Sequence, residues 1–288
     1  MKPDQPSRTA FRVALRRAAH QVLDRPPVLD DPIALRIIGP QRAEAIRADP
    51  RRYDSGFGRA LRLFLVARSR CAEDALARAV ADGVRQYVVL GAGLDTFAYR
   101  NPHPPDQLHV FEVDMPSTQA FKRDLLARTR IAVPDSLTFV SVDFETQALP
   151  EQLGAAGFRE DEPAFFSWLG VSMYLTREAV MATLGYVGRR PPGSSITFDY
   201  MLPPNRMSWL RRLGFHLVAM RVAALGEPWR TWFDPDELAR ELRAMGFARL
   251  EELDGPALDR LYFGGRERRV GGMSAGRVMT ARVGAGPG

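Results

Sequence analysis

The stretch Tyr87-Val88-Val89-Leu90-Gly91-Ala92-Gly93-Leu94-Asp95-Thr96 constrains this chain more than any other. An apolar run ends in a Gly-x-Gly turn. The next apolar run, His109-Val110-Phe111-Glu112-Val113-Asp114, ends in a carboxylate. Short continuous apolar runs read as strands buried on both faces, the habit of a parallel sheet. Glycine at 91 and 93 lets the backbone approach a ligand without a Cβ in the way. Asp114 lies 21 residues beyond Gly93, about where such folds place an acid that accepts hydrogen bonds from ribose hydroxyls. The pair of signals therefore predicts a site for an adenosine-bearing cofactor.

With 288 residues, 45% of them apolar, the chain is long enough for one large α/β domain, or for one domain with a cap. No apolar run approaches the length of a membrane span. Met1 to Ala10 lacks the apolar segment of a secretory signal. Cys71 is the single cysteine, so no intrachain disulfide is possible, and it reads as a small core residue. A cytoplasmic protein is expected. The net charge of +6 comes from arginine, since Lys2 and Lys122 are the only lysines. The arginines are spread along the chain and mostly neighbour acids. No aromatic and basic cluster of the kind that stacks bases stands out, so neither a nucleic acid nor a membrane is the expected partner. One cysteine and four scattered histidines make no credible metal site.

The periodicity predicts helices over Thr9–Leu23, after Asp31-Pro32, and over Ser69–Asp82, the last with Ala72, Ala75, Leu76, Ala79 and Val80 on one face and Gly83 as its stop. Further strands are expected at Leu108–Val113, Leu137–Val142, Ala164–Trp168, Ser195–Tyr200, Ala248–Leu253 and Gly276–Val283. Between them come helices at Ser117–Arg130, Pro150–Gly157, Thr176–Gly188 and Pro235–Met245. Asp234, Pro235 and Glu237 mark the start of the last of these. Alternating strands and helices imply an α/β, doubly wound, mostly parallel seven-stranded sheet. The final two strands, with no obvious helix between them, are expected to pair antiparallel. Residues 1–67 read as an N-terminal helical cap, 68–200 and 234–283 as the cofactor-binding core, and 201–233 as a lid insertion carrying an amphipathic stretch, Ser208–Ala224.

Ligands of open α/β sheets bind at the carboxyl ends of the strands. That edge collects Gly91, Gly93, Asp95, Asp114, Asp143, Phe144 and the segment from Leu169 to Tyr174. Helical rise against strand rise brings Arg68 back level with Gly91. The third glycine of a dinucleotide fingerprint is replaced by Thr96, whereas a pyrophosphate needs the crowded helix start which that glycine allows. S-adenosyl-L-methionine carries no phosphate. Its methionine tail needs a partner for its carboxylate, which Arg68 can grip with charge-assisted hydrogen bonds. An NAD(P)-dependent oxidoreductase and a non-catalytic cofactor-binding protein remain the alternatives.

Leu90-Gly91-Ala92-Gly93-Leu94-Asp95-Thr96-Phe97-Ala98-Tyr99-Arg100 resembles the motif of the leucine carboxyl methyltransferase-like family. So do Phe111-Glu112-Val113-Asp114, Val142-Asp143-Phe144, Trp168-Leu169-Gly170-Val171-Ser172-Met173-Tyr174-Leu175 and Arg260-Leu261-Tyr262-Phe263. Thr9-Ala10 and Asp31-Pro32 fit as well, so the resemblance covers nearly the whole chain. It implies S-adenosylmethionine as cofactor and O-methylation as activity. Arg68 would hold the methionine carboxylate, Gly91 would line the methionine moiety and Asp114 would take the ribose hydroxyls. Asp143 and the backbone at Phe144 would contact adenine, and Tyr174 would face the substrate. Where the family often has Trp-Glu-Gly this chain has Leu169, which removes one polar contact.

The expected chemistry is in-line methyl transfer to an oxygen of a small-molecule acceptor. A carboxylate acceptor is already ionised and needs no general base, whereas a hydroxyl is helped by one. His20, His103, His109 and His216 are the only histidines. None stands out at a strand end, which favours a carboxylate; His216, in the lid segment, is the candidate base for a hydroxyl acceptor. Trp209, Phe215, Met220, Trp229 and Trp232 of the lid region suggest a partly apolar acceptor. The nucleic-acid amino-methylating element expected after the fourth strand, Asn/Asp-Pro-Pro-Tyr/Phe, is replaced by Ser167-Trp168-Leu169-Gly170.

Overall fold

Among the described residues, seven strands form one sheet in the order β3-β2-β1-β4-β5-β7-β6. The strands are β1 (Gln86–Leu90), β2 (His109–Asp114), β3 (Leu137–Ser141), β4 (Ala164–Trp168), β5 (Ser195–Met201), β6 (Phe247–Leu253) and β7 (Gly276–Val283). The first five pair in parallel, while β7 inserts antiparallel between β5 and β6. This is a computed structural model, and it describes residues 8–143, 147–206, 229–264, 270 and 275–284. The chain leaves β1 for β2 on one side, and β4 lies on the other. The sheet's switch point is therefore the crevice between the ends of β1 and β4.

The helices are α1 (Arg8–Leu23), α2 (Pro32–Ile37), α3 (Pro40–Ala48), α4 (Gly56–Ala81), α5 (Pro116–Arg128), α6 (Leu149–Ala155), α7 (Arg177–Gly188), α8 (Pro235–Ala244) and α9 (Gly255–Phe263). Side chains alternate along each strand, so the sheet has two buried faces. Val88, Leu90, Phe166, Trp168, Ile196 and Phe198 pack against α6, α7 and α8. Tyr87, Val89, Val110 and Phe165 pack against Ala75, Leu76, Ala79 and Val80 of α4. A third cluster joins α1, α2 and α3 to Leu126 of α5 and to Leu94 of the glycine turn. That contact seats the N-terminal helices at the edge where the site is expected.

Helix starts follow local chemistry. The side chain of Asp31 accepts from the Ala34 N–H with Pro32 in the first turn, and Asp234 accepts from the N–H groups of Asp236 and Glu237. Three elements differ from the sequence expectation, the first being α3, a helix not expected after α2. The helix expected to begin at Ser69 begins at Gly56, because Leu63 to Ala67 is buried on all sides and so shows no amphipathic period. A helix, α9, also separates the last two strands. Its Leu258 is buried against Leu63, Phe64 and Val278, while Leu261 is exposed. The amphipathic stretch Ser208–Ala224 lies outside the described residues. No helix among the described residues is long and apolar enough to cross a membrane.

The junction of α7 and α8 is the tightest backbone approach. A Cβ at Gly188 would lie 2.3 Å from the Met245 carbonyl oxygen, an atom that cannot swing aside. Gly188→Ala should therefore cost about 1–3 kcal/mol, read as a lowered urea midpoint. An unchanged midpoint would contradict this packing.

Candidate functional site

One residue past the last paired positions Leu90↔Val113 and Trp168↔Phe198 come Gly91 beside Asp114 and Leu169 beside Asp199. These four positions form one row across the carboxyl ends of β2, β1, β4 and β5. Gly91 has φ +65, and a Cβ on it would meet Val171 Cγ2 at 2.4 Å. The turns after β1 and β4 thus touch, and only glycine fits where they do. Gly93 also has positive φ and lies under Ala10 of α1.

Asp114 is buried and holds the glycine turn. Its Oδ2 accepts from the Gly93 N–H at 2.5 Å and its Oδ1 from the Met115 N–H at 2.7 Å. Burial pushes its carboxyl above the ordinary range, against those two donors. Behind it on the same face, Glu112 pairs with Lys122 at 2.6 Å, both fully buried. Burial drives Glu112 up to about 7 despite the ammonium.

Arg68 projects from the fourth turn of α4 to the end of β4. It is buried and ion-paired with Asp199 of β5. The Nε of Arg68 is buried with no hydrogen-bond partner. Its guanidinium lies against Gly170, φ +76, where a Cβ would sit 2.7 Å from Nη2. Asp199 Oδ1 in turn accepts from the Gly170 N–H at 2.5 Å.

Asp95 is engaged with the cap. It accepts from the Phe97 N–H at 2.8 Å and pairs with Arg17 Nη1 at 3.1 Å. Arg17 also donates to Asp31 and to Thr96, each at 2.7 Å. Arg100, bound to Glu73, completes this buried network. After the glycine turn the chain forms only a 3-10 turn, Phe97–Arg100. The helix start that would receive a pyrophosphate is absent there, and the Thr96 hydroxyl is spent on Asp31.

Asp143 follows β3 and is half-buried, its N–H donating to Gln147 Oε1 at 2.9 Å. Phe144 lies outside the described residues. Tyr174 closes the 3-10 turn Ser172–Tyr174 and packs beside Met173, Met201, Ala275 and Trp229. Gly91, Gly93, Asp114 and Arg68 are thus gathered at one edge with the Leu169 turn. Asp95 is turned toward α1, and Asp143 stands one strand farther out.

Sequence reasoning missed Arg17 and Asp199. Asp199 had a signal, a lone acid inside the apolar run Ile196–Tyr200. Arg17 sits likewise among the buried Ala14, Ala18 and Ala19.

The family pattern described as leucine carboxyl methyltransferase matches residues 10–188. The chain belongs to the leucine carboxyl methyltransferase family. It is therefore a methyltransferase that takes its methyl group from S-adenosyl-L-methionine. Among similar proteins is one of Bacillus subtilis named "Putative S-adenosyl-L-methionine-dependent methyltransferase YktD". It is 32% identical over 93% of this chain and 94% of its own length. A protein of Mycolicibacterium paratuberculosis with the same descriptive name is 34% identical over 67% of this chain and 65% of its own. Two solved structures share the fold. A "putative methyltransferase" from Thermobifida fusca superposes with TM-score 0.55 at 15% identity, covering 98% of this chain and 96% of that one. A DUF574 family protein from Streptomyces avermitilis gives 0.51 at 18% identity, covering 93% and 96%.

The residues present at the edge fit this family's cofactor. Gly91 and Gly170 turn the chain with positive φ at the ends of β1 and β4, packed against Val171 and the Arg68 guanidinium. A buried donor, Arg68 Nε, lacks an acceptor, and a carboxylate, Asp114, stands at the end of β2.

Proposed function

We propose that the protein transfers a methyl group to an oxygen of a small-molecule acceptor, with a carboxylate as the favoured acceptor group. S-adenosyl-L-methionine supplies an electrophilic methyl on a sulfonium, so the protein's part is alignment, worth up to roughly 7–11 kcal/mol as effective concentration. Arg68 receives the carboxylate of the amino-acid tail, Gly91 and Gly93 lie along the methionine and sulfur, and Asp114 accepts from the ribose hydroxyls. Asp143 and Phe144 border the adenine, while Asp95 supports the glycine turn through the Phe97 N–H. Tyr174 faces the acceptor. Residues 1–67 act as a cap over this edge and 201–233 as a lid.

The observation that carries the carboxylate reading is where the described histidines stand. Nδ1 of His20 bonds Asp24 at 2.8 Å, and its Nε2 accepts from the Val28 and Leu29 N–H groups, so it is fully used in the cap. His109 opens β2, at the opposite edge of the sheet, and bonds Thr138. His103 lies in the loop that leads into that opening. None of these three can serve as base at the site; His216, the candidate base of the lid stretch, lies outside the described residues; an ionised acceptor needs none.

The test uses tritiated methyl donor and the low-mass fraction of an extract of the native host. A methyl ester is cleaved by mild alkali to volatile labelled methanol, whereas an ether is not. Label released as methanol is the expected result. Label that stays in alkali-stable product would move the assignment to a hydroxyl. Label found only in nucleic acid would overturn it.

A further inference from the structure

Asp199 is the one acid in β5, a strand buried along its whole length, and its side chain is 1% exposed. A carboxylate is stable in such a place only when paired and hydrogen-bonded. Its two oxygens are divided between two partners. Oδ2 pairs with Nη1 of Arg68, and Oδ1 accepts from the Gly170 N–H at 2.5 Å. Its carbonyl also accepts from the Ser172 hydroxyl at 2.7 Å. Gly170 is the residue against which the Arg68 guanidinium lies. One carboxylate therefore fixes both the cation and the surface under it.

Among the described residues, Nη1 is the only nitrogen of Arg68 that is engaged. A guanidinium presents its donors as a rigid planar fork. Holding one prong fixes the direction of the rest, and the buried Nε has no acceptor among the described residues. Leu169, beside Asp199 in the row, offers no charge that could do this instead.

We propose that Asp199 is a positioning residue: by clamping Arg68 onto Gly170, it aims the guanidinium at the carboxylate of the cofactor's amino-acid tail. This rests on the assignment of that tail to Arg68 above. A rival role for the same contact has the opposite sign. An Asp199 that merely occupied Arg68 in the free protein would compete with the tail, and removing it would tighten binding.

The test is calorimetric titration of the wild type and Asp199→Asn with two ligands. S-adenosylhomocysteine has the tail. 5′-Methylthioadenosine keeps the adenosine and sulfur and lacks the tail. Asparagine can still accept from the Gly170 N–H, but it turns an amide or a weaker acceptor toward Arg68. Asp199→Asn is expected to bind S-adenosylhomocysteine about tenfold to hundredfold more weakly, with methylthioadenosine affinity unchanged. Equal weakening of both ligands would show a purely structural role and overturn the proposal, as would unchanged or tighter binding of S-adenosylhomocysteine. Should Asp199→Asn not fold, Asp199→Glu keeps the charge and shifts it by one methylene. The same selective loss is then expected, and parallel affinities would overturn the proposal. A wild type that binds neither ligand would overturn the cofactor assignment itself, a distinct result.

Discussion

Arg68→Ala is expected to lose detectable binding of S-adenosylhomocysteine and to destabilise the fold by about 3–5 kcal/mol. The two effects have different causes. Binding fails because the tail carboxylate loses its cation. Stability falls because Asp199, buried at 1% exposure, is left charged with only the Gly170 N–H on its side chain. A double variant separates them. Arg68→Met with Asp199→Leu replaces the pair by apolar groups of similar bulk, a change that is often neutral for stability. The denaturation midpoint should then recover most of its loss, while the calorimetric signal stays absent. Recovery of both would contradict the assignment of the tail to Arg68. Loss of binding in the double variant without any loss of stability in Arg68→Ala would contradict the buried pair.

Asp114→Asn should weaken S-adenosylhomocysteine about a hundredfold, and methylthioadenosine by the same factor. Charged hydrogen bonds are worth roughly 1.5–3 kcal/mol each, and a ribose offers two hydroxyls to one carboxylate. The carboxylate also holds the Gly93 and Met115 N–H groups at once. Asparagine has one acceptor oxygen and can keep only part of this arrangement. Both ligands carry the ribose and both need the glycine turn, so the loss is common to them. Asp199→Asn, by contrast, should spare the tail-less ligand. A selective loss in Asp114→Asn would place the ribose elsewhere.

The glycine turn and Asp114 were legible in the sequence because they belong to one local unit, strand, turn and strand, with few geometries open to it. The last two strands were expected to pair antiparallel for want of an obvious helix between them; they do pair so, but α9 stands between them in the chain. Its Arg260-Leu261-Tyr262-Phe263 has one face against α4 and leaves Leu261 exposed, and that face exists only once α4 is in place. Arg68 was expected level with Gly91; its guanidinium lies against Gly170, whose neighbour Val171 meets Gly91, and its helix starts at Gly56 and not at the residue after Arg68. Only the run from Arg68 to Gly91 sets that level, and the residues before it have no bearing on it. The Arg17 network and the Arg68–Asp199 pair were not legible. Their partners lie 78 and 131 residues apart, and a single sequence carries no trace of which acid meets which arginine. The electrostatic setting of the site was therefore hidden. A cation read as free is in fact paired, and an acid grouped with the cofactor residues, Asp95, ties the turn to the cap.

The proposed site lays an adenosyl sulfur compound across the carboxyl ends of β1, β2 and β4, between Arg68 and Asp114. Calorimetric titration of the folded wild type with S-adenosylhomocysteine, and separately with NADH, tests it most directly. Saturable uptake of S-adenosylhomocysteine at one site per chain, with no heat from NADH, is the predicted result. Saturable uptake of NADH, or none of S-adenosylhomocysteine, would contradict the account.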